Sequence, residues 1–193
     1  MIRARCNGLG FEWIGRGCVL RVGVDTYDGP VPDRIVIATD GSCLVNPGGP
    51  GGWAWVVSTT CWSAGGNPST TNQRMELQAV GEAVRAFPVG TPLLIQSDSR
   101  YAINCLTTWL PGWVRNDWKN SAKKPVANRD LIEYIAFLMR GREISFEHVR
   151  GHRGHVLNEL ADLKCGAAAA ATRDGSVVDS GPAGCVETLL AAR

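Results

Sequence analysis

The sequence predicts an α/β protein in which one mixed sheet of five strands carries helices on both faces. Three observations predict it. Apolar runs of strand length alternate with longer segments of helical periodicity. Two of the runs, Ile35-Val36-Ile37-Ala38 and Leu93-Leu94-Ile95, are short and continuously apolar, as central strands buried on both faces are. The order along the chain is three strands, a helix, a strand, helices, a strand and a helix, which suits a mixed sheet packed between helical layers.

Each element has its own signal. Residues 35–40 read as the first central strand. Asn46-Pro47-Gly48-Gly49-Pro50-Gly51-Gly52 is too rich in Gly and Pro for a regular element and makes a turn. Trp53-Ala54-Trp55-Val56-Val57 and Cys61-Trp62-Ser63-Ala64 then form a hairpin that pairs with the first strand. From Asn72 to Phe87, Met75, Leu77, Ala79, Val80, Ala83, Val84 and Phe87 recur at helical spacing, and Pro88 stops the run. Leu93–Gln96 is the second buried strand, and a helix begins near Ser99 with Tyr101, Ala102, Ile103 and Leu106. Residues 128–140 place Leu131, Ile132, Ile135, Leu138 and Met139 on one helical face. Ile144–Val149 is a short strand, and 156–171 an Ala-rich helix.

Composition limits the class. With 193 residues, 45% hydrophobic and 20% charged, the chain fits one soluble domain with a substantial core. It has no stretch apolar enough to span a bilayer and no signal-peptide core. The seven cysteines are odd in number and form no Cys-x-x-Cys pair, so they are expected as reduced thiols of a cytoplasmic protein. A net charge of +2 is too small to imply nucleic-acid binding by itself; the distribution of charge matters more. Around the core, residues 1–33 form an N-terminal extension with a short strand-like run at Cys18–Val24 and a Pro-bearing linker. Residues 34–171 form the domain, and residues 172–193 are expected as a mobile tail with a helical turn near Val186–Leu190. A monomer is expected.

Four carboxylates stand in positions that can bring them together. Asp40 and Asp98 each follow an apolar strand; Glu76 and Asp162 lie early on helices. Singly, Asp40 reads equally well as the start of an Asp-Gly turn, and Asp98 as a helix N-cap. Glu76 and Asp162 are harder to explain so, because each sits among apolar neighbours where an unpaired acid is costly. Acids gathered at one point repel unless cations hold them, and hard oxygen ligands suit Mg²⁺ or Mn²⁺. Two such ions about 4 Å apart can clamp the attacking and leaving oxygens of a phosphodiester. The residues read as a metal-dependent nuclease.

The same settings carry a family resemblance. Thr39-Asp40-Gly41-Ser42-Cys43, Asn46-Pro47-Gly48, Gly51-Gly52-Trp53-Ala54, Thr71-Asn72-Gln73-Arg74-Met75-Glu76-Leu77, Ser97-Asp98-Ser99 and Val149-Arg150-Gly151-His152-Arg153-Gly154-His155, followed by Asn158-Glu159 and Asp162, resemble type 1 ribonuclease H of the bacterial ribonuclease HI kind. The blocks run in the family's order from Arg34 to Ala170. The resemblance implies the ribonuclease H fold and hydrolysis of the RNA strand of RNA–DNA hybrids, giving 5′-phosphate and 3′-hydroxyl ends. It assigns two Mg²⁺ ions, with Mn²⁺ a substitute, to Asp40, Glu76, Asp98 and Asp162.

It also assigns His152, in a Gly-flanked loop, to proton transfer or product departure, which suits a group titrating near neutral pH. A rival zinc site from His148, His152, His155 and Cys165 lacks a second paired ligand set. His155 is expected to brace the loop, and Glu159 to be a fifth, outer acid or a first-turn helix carboxylate. Asn46, Asn72 and Gln73 face the minor groove in this reading, where Asn46 and Gln73 can donate to a 2′-hydroxyl or a base edge. Thr71 and Asn128 match a pocket for a DNA phosphate, weakened here by Ser69 where some relatives place Arg. Trp109, Trp113, Trp118, Lys119, Lys123 and Lys124 match a basic handle that lies against phosphates. Its bland reading is a solvated surface over core tryptophans. Val114, Asn116, Asp117 and Ala127 depart from the family's handle and imply a weaker electrostatic grip. Two other readings stand beside the nuclease: a hybrid-binding module without catalysis, and another two-metal nuclease or integrase of the same fold.

Overall fold

The computed structural model describes residues 34–193 except His152 and Arg153. The expected N-terminal extension, residues 1–33, and the role of His152 therefore lie outside the described residues. The elements are β1 (Ile35–Cys43), β2 (Gly51–Ser58), β3 (Cys61–Asn67), α1 (Asn72–Ala86), β4 (Leu93–Ser97), α2 (Arg100–Leu106), α3 (Leu110–Arg115), α4 (Arg129–Leu138), β5 (Ile144–His148), α5 (Val156–Asp174) and α6 (Cys185–Ala191). The sheet has five strands in the order β3-β2-β1-β4-β5. β1 pairs antiparallel with β2 and parallel with β4; β4 pairs parallel with β5. The mixed sheet expected from the sequence is the one observed.

Strand alternation divides the core into two layers. Ile35, Ile37, Trp55, Leu93 and Ile95 face Leu77, Val80, Ala83 and Val84 of α1 and Ile132 and Ile135 of α4. Ala38, Ala54, Val56, Trp62 and Ala64 face the opposite way, onto Ala161, Cys165 and Ala168 of α5. Small side chains on both partners of that second layer let α5 lie close to β1 and β2. β1, packed on both sides, is the axis of the molecule, and Asp40 lies on it just past the last pair with β4, Thr39 opposite Ser97.

Two expectations need correction. Cys61 and Cys185 are disulfide-bonded, with Cα atoms 5.1 Å apart across 124 residues of sequence. Spacing rules look for cysteines near in sequence, whereas this pair is made adjacent by folding. Cys43, Cys105 and Cys165 are free, as expected. The segment after residue 171 is also more ordered than a mobile tail. α5 continues to Asp174, and the helical turn expected near Val186–Leu190 is α6, whose Val186, Leu189 and Leu190 pack on the main core. No helix among the described residues is long and apolar enough to cross a membrane.

Candidate active site

β1 and β4 run parallel with Thr39 opposite Ser97, so the next residues, Asp40 and Asp98, emerge side by side at the same end of the sheet. Glu76 reaches them from the first turns of α1. That approach requires Gly41, because a side chain there would collide with the backbone of Met75 and Glu76. Asp162 comes from α5 on the other face. Ligand atoms of Asp40, Asp162 and Cys165 lie within 4.8 Å of one another. Of the four expected carboxylates, Asp40 and Asp162 belong to that group, while Asp98 and Glu76 act on Asp40 electrostatically.

The electrostatics report the same convergence. The carboxyl of Asp40 is pushed up to about 7, first by burial, then by Asp98 and more weakly by Asp162 and Glu76, against a lowering bond from Gly41. Gly41 N–H donates to Asp40 Oδ1 at 2.7 Å. Glu76 is also raised, chiefly by burial and secondarily by Asp98, while Ser99 holds its charged form. Such a cluster is unfavourable as bare anions and favourable around cations. The donor set, oxygen-rich and mutually repelling, fits hard divalent metal.

Sequence reasoning missed two supports. Ser99 Oγ donates to Glu76 Oε2 at 2.6 Å while accepting from Ala102 N at 3.1 Å, so one hydroxyl caps α2 and holds an acid. The cap considered for Asp98 therefore belongs to its neighbour, and Asp98 is left for the site. Gly151 is the second: a Cβ there would stand 2.5 Å from Asp98 Oδ2, so the loop at Gly151 passes directly against that carboxylate. That loop is tied back by Glu159, whose Oε1 accepts from Gly154 N at 2.9 Å. The bracing expected of His155 falls to Glu159; His155 supplies the N-cap backbone of α5 without a side-chain cap. The metal-competent group among the described residues contains no histidine.

Around this centre the other expected residues take distinct places. Asn46 Oδ1 accepts from Asn72 N at 3.3 Å, joining the Gly/Pro turn to the start of α1, and Gln73 is exposed beside them. Cys43 packs, its single S–H within reach of the carbonyls of Val45, Gly49 and Thr70, of which Val45 is nearest. Thr71 N-caps α1 by accepting from Arg74 N, and Asn128 donates to Tyr101 Oη at 2.9 Å. Arg74 reaches Asn128 at 3.5 Å, but its guanidinium is held in a two-pronged pair with Asp130. In the handle, Lys119, Lys123 and Lys124 are exposed, Trp109 is 39% exposed and stacks near Trp113, and Trp118 is only 8% exposed beneath Arg129. Trp118 builds the handle from inside. Lys119 also lies 3.6 Å from Asp117, which offsets part of its charge.

A family profile described as RNase H matches residues 32–170. The chain belongs to the ribonuclease H family. It is 42% identical over 146 residues to the Ribonuclease H of Anaeromyxobacter dehalogenans (strain 2CP-C), covering 70% of this chain and 80% of that one. It is 46% identical over 131 residues to the Ribonuclease H of Tropheryma whipplei (strain Twist), covering 67% and 81%. The Ribonuclease HI of Streptomyces coelicolor is 43% identical over 144 residues, with 71% of this chain and 62% of the relative covered. Among solved structures, LC9-RNase H1, described as a type 1 RNase H with the type 2 active-site motif, superposes with a TM-score of 0.62 at 29% identity, over 86% of this chain and 84% of that one. These findings bear out the type 1 ribonuclease H resemblance and its fold, and they make the chain a ribonuclease of the hydrolase class.

Proposed function

We propose that this ribonuclease is an endonuclease that hydrolyses the RNA strand of RNA–DNA hybrids, with Asp40, Glu76, Asp98 and Asp162 holding two Mg²⁺ ions, for which Mn²⁺ can substitute. The observation that carries the reading is the gathering of acids around Asp40, level with the end of β4, where burial and mutual repulsion raise its carboxyl to about 7. When bound, such ions supply Lewis-acid activation of water and charge stabilisation of the departing 3′ oxygen. The products would end in 5′-phosphate and 3′-hydroxyl, and removal of RNA from primers and R-loops is the role that follows.

The protein's own residues divide the remaining work. Gly41 N–H and Ser99 O–H fix the carboxylates of Asp40 and Glu76, so the site is preorganised for charge. His152, on a loop tied at Gly154 by Glu159, moves a proton or assists product departure. Asn46, Asn72 and Gln73 meet the minor groove, where an amide can recognise a 2′-hydroxyl. Thr71 and Asn128 flank a phosphate of the DNA strand, and Trp109, Trp113 and the three handle lysines contact the backbone over Trp118.

A binding module without catalysis gains nothing from clustered acids, since bare carboxylates repel the phosphates it must hold. Another two-metal nuclease or integrase would have no use for the handle and the Gly-His-Arg-Gly-His loop. Incubation with end-labelled hybrid, duplex RNA and duplex DNA, with and without Mg²⁺, separates the three. Mg²⁺-dependent cleavage confined to the RNA strand of the hybrid is the expected result. Binding without cleavage, or cleavage of duplex DNA, would overturn it.

A further inference from the structure

The C-terminal segment takes no part in the site, yet it is fastened to the sheet. Ser63 Oγ on β3 donates to Ser180 O at 2.9 Å. Val186, Leu189 and Leu190 of α6 lie on the main core, and Cys185 is bonded to buried Cys61 at the start of β3. Arg193 donates to the carbonyl of Arg34 at 3.4 Å, so the last residue reaches the start of β1. Among the described residues β3 is the outer strand of the sheet, and Ser180 and Gly181 of this segment lie against it.

The fastening lies far from the acids. Asp40 pairs with Ala54, which pairs with Ala64, whereas Cys61 pairs with Ser58 at the hairpin end of the sheet. A cleft of about 290 Å³ lined by Trp55, Trp62, Pro182 and Cys185 opens beside Cys185, while Cys61 lies buried behind it. A small thiol or disulfide can therefore approach without disturbing the centre.

We propose that Cys61 and Cys185 form a redox-responsive site whose reagent is a low-molecular-weight disulfide of the glutathione class. One protein thiolate attacks the reagent's S–S bond, forming a mixed disulfide and expelling one thiol. The second protein thiolate then displaces the other half, forming Cys61–Cys185 and a second thiol. Two protein S–H bonds and one reagent S–S bond are lost; one protein S–S bond and two reagent S–H bonds are formed, and two electrons pass to the reagent. Closure locks α6 on β3 and restricts the unfolded chain across a long loop, which is where a cross-link stabilises most. Reduction unlocks the strap and leaves the active site folded.

The test uses the full chain equilibrated in buffers of oxidised or reduced glutathione, followed by alkylation, peptide mapping and thermal melting. The expected result is a Cys61–Cys185 peptide in the oxidised sample alone and a Tm roughly 5–15 °C above the reduced sample. Cys185→Ser and Cys61→Ser should each abolish that difference, and hybrid cleavage at 25 °C should be equal in both redox states. Failure to form the linked peptide, equal Tm values, or a difference that persists in both variants would each overturn the proposal. Loss of cleavage on reduction, with the fold intact by circular dichroism, would also overturn it, because the strap would then act on the site.

Discussion

Asp40→Asn separates the two consequences of charge at the site. In the metal-free fold the Asp40 carboxyl is raised to about 7, whereas in the unfolded chain it has the ordinary carboxylate value. The fold therefore binds this proton more tightly than the unfolded chain does. Ionised Asp40 opposes folding fully above about pH 7, and the opposition fades as pH falls from 7 towards 4. A rise from 3.8 to about 7 corresponds to at most about 4 kcal/mol. Solvent screening at this part-exposed carboxyl reduces that to about 1–2 kcal/mol. Asparagine keeps the oxygen that accepts from Gly41 N and discards the charge. In EDTA at pH 8 the variant should melt about 2–8 °C above the parent, the gap closing towards pH 4. Added Mg²⁺ should raise the parent's Tm and leave the variant nearly unmoved. Cleavage should fall by orders of magnitude while hybrid binding survives. Differential scanning fluorimetry across pH, with and without Mg²⁺, reads the first three effects. A variant that melts below the parent in EDTA at pH 8, or that cleaves at near-parental rate, would refute the reasoning.

Four further outcomes are expected. Ser99→Ala removes the donor to Glu76 and the cap of α2, so Tm should fall by the equivalent of about 1 kcal/mol and kcat several-fold; Ser99→Thr should restore both, and failure of that rescue in kinetics and melting would count against the hydroxyl's role. His152→Ala should slow turnover substantially yet keep measurable cleavage and intact Mg²⁺ binding by calorimetry, with lost metal binding favouring a direct-ligand role. Replacing Lys119, Lys123 and Lys124 by Ala should raise KM and flatten the salt dependence of hybrid binding with kcat little changed; an unchanged salt slope would make the handle only a solvated face. A chain beginning at Pro32 should keep its Tm and its hybrid cleavage, and loss of folding would place residues 1–33 inside the domain.

The acids were legible in the sequence as a set rather than singly, since Asp40 also reads as a turn residue and Asp98 as a helix N-cap. Strand length placed Asp40 and Asp98 at one level, and parallel pairing of Thr39 with Ser97 turned that into adjacency. Glu76 and Asp162 stood out as charges among apolar neighbours. What the sequence left hidden depends on distance in three dimensions rather than on residue type. Ser99 carries the ordinary mark of an N-cap, and only the fold shows the same hydroxyl on Glu76. Gly151 reads as a loop residue until Asp98 is found against it. Cys61 and Cys185 follow no spacing rule, because 124 residues separate them and the sheet edge joins them. Asp117 shows the converse. Its acid was visible as a departure from the handle's basic character, and its position 3.6 Å from Lys119 gives that departure a physical cost. In the proposed reading the handle's grip is set by local pairing as well as by its count of lysines, and Asp117→Asn should steepen the salt dependence of hybrid binding that removing Lys119 flattens.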